Sequence, residues 1–301
     1  MGMYHSPMRT PHAASSLLAL PLVFTLAAAE QTLQDRPASP DLNAPRPIDA
    51  RDSVWIEELT WMEVRDAIRG GKTTAIVPTG GIEQNGPYTA TGKHNFVLQA
   101  TSEAIARRLG NALVAPIVKF VPEGRIDPPS GHMQYSGTIS LREETFVALL
   151  TDIVSSLKQH GFREIVLIGD SGGNTRGMQT VADTLNRQSK DSGTRVHHVR
   201  EYYESDMWSF DYLKEIGIKQ VPDVKSASRA GIHDDYHYES IVATVDPRHI
   251  RVKERQAKGL FSINGVDMNP PEKTIENGKK LVDYRARLTA EAINKAIANK
   301  P

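Results

Sequence analysis

The chain has 301 residues, 39% hydrophobic and 24% charged, with a formal net charge of zero, and is long enough to bury a sizeable core. Zero net charge removes the electrostatic case for nucleic acid or an anionic membrane as the main partner. The lack of cysteine excludes a thiol nucleophile, thiolate metal ligands and disulfides, so any metal would be held by His, Asp, Glu or neutral oxygen ligands.

Arg9 and nearby histidines precede an apolar run over residues 13–29 that ends in Ala27, Ala28 and Ala29. A charged start, a short apolar middle and small terminal residues predict a signal peptide over 1–29 and a periplasmic or secreted protein. Pro21 and the modest length argue against a spanning helix, so no stable membrane anchor is expected after signal removal. Pro37, Pro40, Pro45 and Pro47 make 30–52 a flexible linker, and one folded domain is expected over 53–301.

Within that domain the pattern predicts a helix over 59–68 with Thr60 as N-cap, then a short β-branched strand at 73–77. A polar loop over 80–93 leads to a helix over 95–109. Residues 112–121 read as a strand broken by Pro116, and the irregular loop 122–137 reads as a pocket wall or lid. An amphipathic helix over 141–160 precedes the clearest buried strand, 164–168. A helix to 188, a strand over 196–202 and a final helix over 271–298 complete the reading. Such alternation implies a three-layer α/β/α sandwich with a mainly parallel central sheet. Ligands bind outside the carboxyl ends of such strands, which puts 80–94 and 170–174 at one rim.

Glu83 and His94, eleven residues apart on one strand-to-helix connection, can reach a common divalent ion. Equally, Glu83 can cap amides of a tight glycine loop while His94 starts the helix. Asp170, directly after a buried strand, suits a metal ligand, a general base or an N-cap. Ser171 lacks the spacing of a nucleophile elbow and has no assignable His–Asp partners. In the run from His233 to Glu239, a helix would place His233 with His237 and Asp235 with Glu239 on shared faces. A polar helix entry with charged caps explains that run as well.

Four segments, PTGGIEQNGPY with GKH, HMQYSGTISL, GDSGGN, and HDDYHYES with ATVDP, resemble in order and spacing the motifs of the creatininase family. The resemblance implies a creatininase-like fold and a metal-dependent hydrolase of non-standard or cyclic amide C–N bonds. It also implies a two-metal site, a small-molecule substrate and a homo-oligomer. Asn85 and Ser171 stand where the family has ligand histidines, and His94 where it has the bridging aspartate. His233 matches the family histidine, and the acidic position of the last motif falls on Tyr238, one residue before Glu239. A relocated site with one zinc or manganese ion on Glu83, His94 and Glu239 is therefore expected in place of two ions. His233, Asp235 and Asp170 are the candidate catalytic groups, and Asn85, Tyr88, His132 and Ser171 the candidate substrate contacts. Metal-free acid–base hydrolysis by the same groups is a second reading. A non-catalytic periplasmic binder of small ligands and a peptidase-like amidohydrolase are the rival functions.

Overall fold

A computed structural model of the chain describes residues 41–188, 193–221 and 234–299, apart from the side chains of 205–208. Internal contacts divide the chain into two units, Met1–Pro47 and Ile48–Pro301. Of the first, residues 41–47 are described and hold a turn in which the Ala44 N–H donates to the Asp41 carbonyl at 3.1 Å.

In the second unit, helix α1 (Trp61–Arg69) begins at Thr60 with a capping box, each of Thr60 and Glu63 bonding the other's backbone N–H by its side chain. Strand β1 (Thr74–Thr79), α2 (Lys93–Leu109) and β2 (Ala112–Val114) follow. Next come α3 (Glu143–Gln159), β3 (Glu164–Gly169), α4 (Asn174–Gln188), β4 (Arg195–His198) and α5 (Glu201–Glu215). The strands pair in parallel in the order β2-β1-β3-β4, with Val77 opposite Leu167.

Alternate side chains of each strand point to opposite faces. Ala75, Val77, Ile165 and Leu167 pack with Phe146 and Leu150 of α3 and Met178 of α4. Ile76, Val166 and Ile168 pack with Leu98 and Ile105 of α2, Tyr202 of α5 and Ile293. The three-layer sandwich expected from the sequence is the observed fold. Beyond the sheet lie α6 (Tyr236–Val245), α7 (Val252–Ala257), the β5–β6 pair (Ser262–Ile263, Val266–Asp267) and α8 (Pro271–Ala298). Their apolar residues, Ile241, Phe261 and Leu281 among them, form a separate cluster. Helix α8 meets α6 at Gly278, where a Cβ would stand 2.0 Å from the Ser240 carbonyl oxygen. Only glycine permits that approach. Among the described residues no helix is long and apolar enough to cross a membrane.

Two expected strands are shorter than their apolar patterns. Regular pairing of β2 stops at Val114, before Pro116, which lacks the N–H a ladder needs; Val118 and Val121 make only isolated bridges. Strand β4 ends at His198 and the chain turns into α5, so Tyr202 packs from a helix. The helix expected from 95 starts at Lys93, bringing Lys93 and His94 into its first turn.

Strand order reverses between β1 and β3, because the chain leaves β1 for β2 on one side and returns to β3 on the other. A crevice at the carboxyl ends follows from that reversal. The loops after Thr79 and Gly169 meet there.

Candidate active site

Two asparagines hold these loops together. Asn174 donates through Nδ2 to the Thr79 and Gly80 carbonyls at 3.1 and 2.9 Å, tying the start of α4 to the end of β1. Asn95 accepts from the Gly81 N–H at 3.3 Å and donates to the Gly81 carbonyl at 2.9 Å.

His94 stands between two carboxylates, its Nε2 2.7 Å from Glu83 Oε1 and its Nδ1 2.8 Å from Asp170 Oδ2. Neutral imidazole carries one N–H, so acceptors at both nitrogens favour the imidazolium. Burial and the Lys93 charge push His94 down, but the bonds to Asp170 and Glu83 outweigh them and its pKa lies above the ordinary value. Asp170 is itself anchored: Oδ1 lies 3.1 Å from the Arg285 guanidinium and accepts from the Tyr202 hydroxyl at 3.2 Å. Tyr202 pairs in turn with Thr101 at 2.8 Å.

On the other side of Glu83 lies Glu123, which sequence reasoning did not single out. Its side chain is buried and shares a hydrogen bond with Glu83. Two carboxyl groups hydrogen-bond only through a proton that one of them carries, and among the described residues no other N–H or O–H reaches Glu123 Oε1. Burial first, then the hydrogen bond and charge of Glu83, push the Glu123 carboxyl up to about 10. Burial raises Glu83 too, but the bond to His94 and the charges of His94 and Lys93 hold it well below the carboxylate range. The two carboxyls are thus pushed in opposite directions, Glu123 up and Glu83 down. Gly81 makes room for the pair, since a Cβ there would lie 2.0 Å from Glu123 Oε1.

Other predicted site residues divide sharply. His132 joins the cluster, its Nε2 3.4 Å from Glu83 Oε2. Ser171 reaches Glu123 Oε2 at 3.5 Å as a donor to that acid. Asn85 is buried but braces its loop, donating to the Glu83 carbonyl at 2.9 Å and the Ala90 carbonyl at 3.2 Å. Tyr88 lies under the Arg255 guanidinium, 4.5 Å from its ring centre. Three predicted residues are engaged elsewhere. Glu239 is not grouped with Glu83 and His94: its carboxylate is 2.6 Å from Arg255 and takes a 3.0 Å bond from Thr89. Asp235 is the N-cap of α6, accepting from the Tyr238 N–H at 3.0 Å, so its carboxylate is spent on the helix end. Asp170 orients His94 and is not a free base, because both its oxygens are taken. His233 lies outside the described residues, and with it the shared face proposed for His233 and His237.

A divalent ion needs several donors converging with free lone pairs at about 2.0–2.6 Å. Among the described residues no three of His, Asp and Glu are so arranged. Both His94 nitrogens face carboxylates, and the permanent charges of Lys93 and Arg285 already lie against the cluster. The donor set of the described residues does not fit a metal.

The family model described as creatinine amidohydrolase matches residues 57–293. A creatinine amidohydrolase of Pseudomonas putida is 30% identical over 116 residues, 38% of this chain and 44% of that protein. A 3-dehydro-scyllo-inosose hydrolase of Thermotoga maritima is 24% identical over 119 residues, 40% of this chain and 36% of that protein. The matches thus span less than half the length of these curated relatives. Among solved structures, a tryptophan-to-alanine mutant of creatininase superposes with a TM-score of 0.60 at 21% identity, covering 81% of this chain and 98% of that one. A creatininase mutant of the Zn-Zn type and a creatininase with Mn each give 0.54, at 20% and 21% identity, covering 83% and 82% of this chain and 97% of each. These likenesses are likenesses of fold.

Proposed function

Because the chain belongs to the creatininase family, we propose that it hydrolyses a C–N bond of a small or cyclic amide, with the Glu83–Glu123 pair moving the protons. The observation that carries this reading is the buried Glu83–Glu123 hydrogen bond at the carboxyl end of the sheet, with His94 2.7 Å from Glu83 and the two carboxyls pushed apart, Glu83 down and Glu123 up. Two titratable groups driven apart in this way define a base and an acid.

The step balances on those two groups. Water oxygen bonds to the amide carbon while Glu83 takes one water proton. The C–N bond breaks as the leaving nitrogen takes the proton of Glu123. A carboxylic acid and an amine leave, and the pair still holds one proton, now on Glu83. Glu83 alone is a weak base because its pKa is low; it gains basicity as its neighbour loses the proton, so the two transfers support each other. His94 holds Glu83 in place, and Asp170, fixed by Arg285, holds His94.

Zinc and manganese in structures of the fold make a divalent ion the rival source of positive charge. The donor set does not fit one, so no step is assigned to it. Purified protein assayed for amine release from cyclic amides should keep its turnover after chelation, and Glu83→Gln should lower kcat by roughly 10²–10⁴. Turnover that vanishes with chelation and returns with zinc or manganese overturns the acid-pair mechanism. Cyclic amides that bind without releasing amine make the chain a binder instead.

Export is a further proposal, supported by the apolar run over 13–29. Mature protein recovered from the periplasm with its start near Glu30 is expected, and uncleaved protein in the cytoplasm overturns it. A homo-oligomer is proposed from the family likeness, to be read by light scattering.

A further inference from the structure

Three asparagines precede glycine in this chain, Asn85, Asn264 and Asn277. An asparagine in that setting carries its own reagent. The amide nitrogen of the next residue can attack the side-chain carbon, and a glycine there has no Cβ to hinder the approach. The fold treats the three pairs differently.

Asn85 is 1% exposed, its Nδ2 donates to two backbone carbonyls, and the Gly86 N–H donates to Gln84 Oε1 at 3.1 Å. Asn277 lies inside α8, 6% exposed, with Nδ2 donating to the Tyr236 hydroxyl at 2.9 Å. The Gly278 N–H belongs to the ladder of that helix, whose backbone is pressed there against Ser240. Closing a ring at either position requires opening the core around it.

Asn264 stands in the two-residue turn that joins β5 to β6, with φ at 48°, followed by Gly265 at 77°. Positive φ at both positions is the geometry of a tight hairpin, which asparagine tolerates better than most residues. Gly265 is exposed, and among the described residues its N–H meets no acceptor. The Asn264 side chain is held by one long bond, Nδ2 to the Asp234 carbonyl at 3.4 Å. Its main-chain carbonyl takes the Val221 N–H at 2.6 Å. Bonds at the surface resist the ring-closing rotation here, where the other two pairs are resisted by the core.

We propose that Asn264 is a site of self-modification, losing ammonia to become aspartate or isoaspartate while the other two pairs stay intact. The Gly265 nitrogen gives its proton to hydroxide and bonds to Asn264 Cγ. The Cγ–Nδ2 bond breaks, and ammonia leaves with a proton taken from water. Water then opens the five-membered imide at either carbonyl and leaves a carboxylate. In the isoaspartyl product the main chain runs through the former side chain and gains a methylene. An oxygen then faces the Asp234 carbonyl where an N–H stood, so the tie between this turn and Asp234 is lost. The modification needs no substrate, so its outcome is independent of the hydrolase reading.

Purified full-length protein is kept at mildly alkaline pH, folded in one sample and unfolded in urea in another, and mapped by peptide mass over time. In urea the three Asn-Gly pairs should convert from amide to acid at similar rates, since the local chemistry is the same. In the folded protein Asn264 should convert at least ~10-fold faster than Asn85 and Asn277, because opening a surface turn costs less than opening the core. An isoaspartyl methyltransferase should methylate the aged folded protein in the peptide that holds position 264. Asn264→Asp, which keeps a residue tolerant of positive φ, should abolish the early mass gain. Conversion at Asn85 or Asn277 that keeps pace with Asn264 overturns the assignment. So does an Asn264 peptide still unchanged when the urea sample has fully converted, or an early mass gain that persists in Asn264→Asp.

Discussion

Two buried charge clusters feel the charge of Lys93, and they differ in what they leave undone. In the outer one Asp234, Thr89, Glu239 and Arg255 close on one another. Burial and the Glu239 charge raise Asp234 well above its usual range, and the Thr89 hydroxyl bridges it to Glu239, 3.0 Å away. Arg255 divides its remaining N–H groups among the Ile250, Leu260 and Ser262 carbonyls at 3.2, 3.2 and 2.9 Å. In the cluster around Glu83 the main chain fixes the loops, but among the described residues no N–H or O–H donor reaches Glu123 Oε1. Carboxylates gathered in a core signal chemistry only where some hydrogen-bonding capacity is unspent. By that measure the first cluster is a rivet and the second is a site.

The contrast can be broken from either side. The largest effect on stability is expected at Arg255. Its replacement by alanine strands the buried Glu239 charge and should cost ~3–5 kcal/mol in denaturant unfolding. Activity lost with the fold fully stable would move the outer cluster into the site.

Glu123→Gln comes next. It should slow turnover roughly 10²-fold with KM little changed, because glutamine donates a hydrogen bond but no proton. Its effect on stability has a definite sign. A carboxyl raised from 4.5 to about 10 on folding binds its proton more tightly when folded, so its contribution is fully present below pH 4.5 and is lost as pH rises towards about 10. Wild-type melting temperature should fall across that window, and Glu123→Gln should flatten the fall. Parallel profiles for the two proteins would mean that Glu123 is already ionised. The smallest effect belongs to Asp235→Ala, about 1 kcal/mol for a lost N-cap, with turnover unchanged. Turnover slowed by roughly 10²-fold or more in that variant would restore Asp235 to the catalytic groups.

Patterns that depend on near neighbours were legible in the sequence. The apolar run of β3, the N-cap at Thr60 and the long amphipathic α8 each carry their signal within a few turns of chain. So does the meeting of the two glycine loops, which follows from strand order once β1 and β3 are recognised. The pairing of His94 with Glu83 was expected as metal ligation, and the structure shows an ion pair with Asp170 on its far side. Glu123, Lys93 and Arg285 were missed for one reason. Each is an ordinary charged residue until distant chain buries it, and burial of a single polar residue leaves no local period. Glu239 misled for the converse reason, since its partner Arg255 lies in the next helix, outside the acidic run that drew attention to it.

Gly278 has a reach its position does not suggest. Arg285 follows it by seven residues, two turns along α8 and on the same face. The closeness that Gly278 allows between α8 and the Ser240 carbonyl therefore sets how far Arg285 extends towards Asp170, and through Asp170 the pose of the His94 ring. The tolerance of the reacting groups is gauged where two backbones touch, at a point no substrate meets.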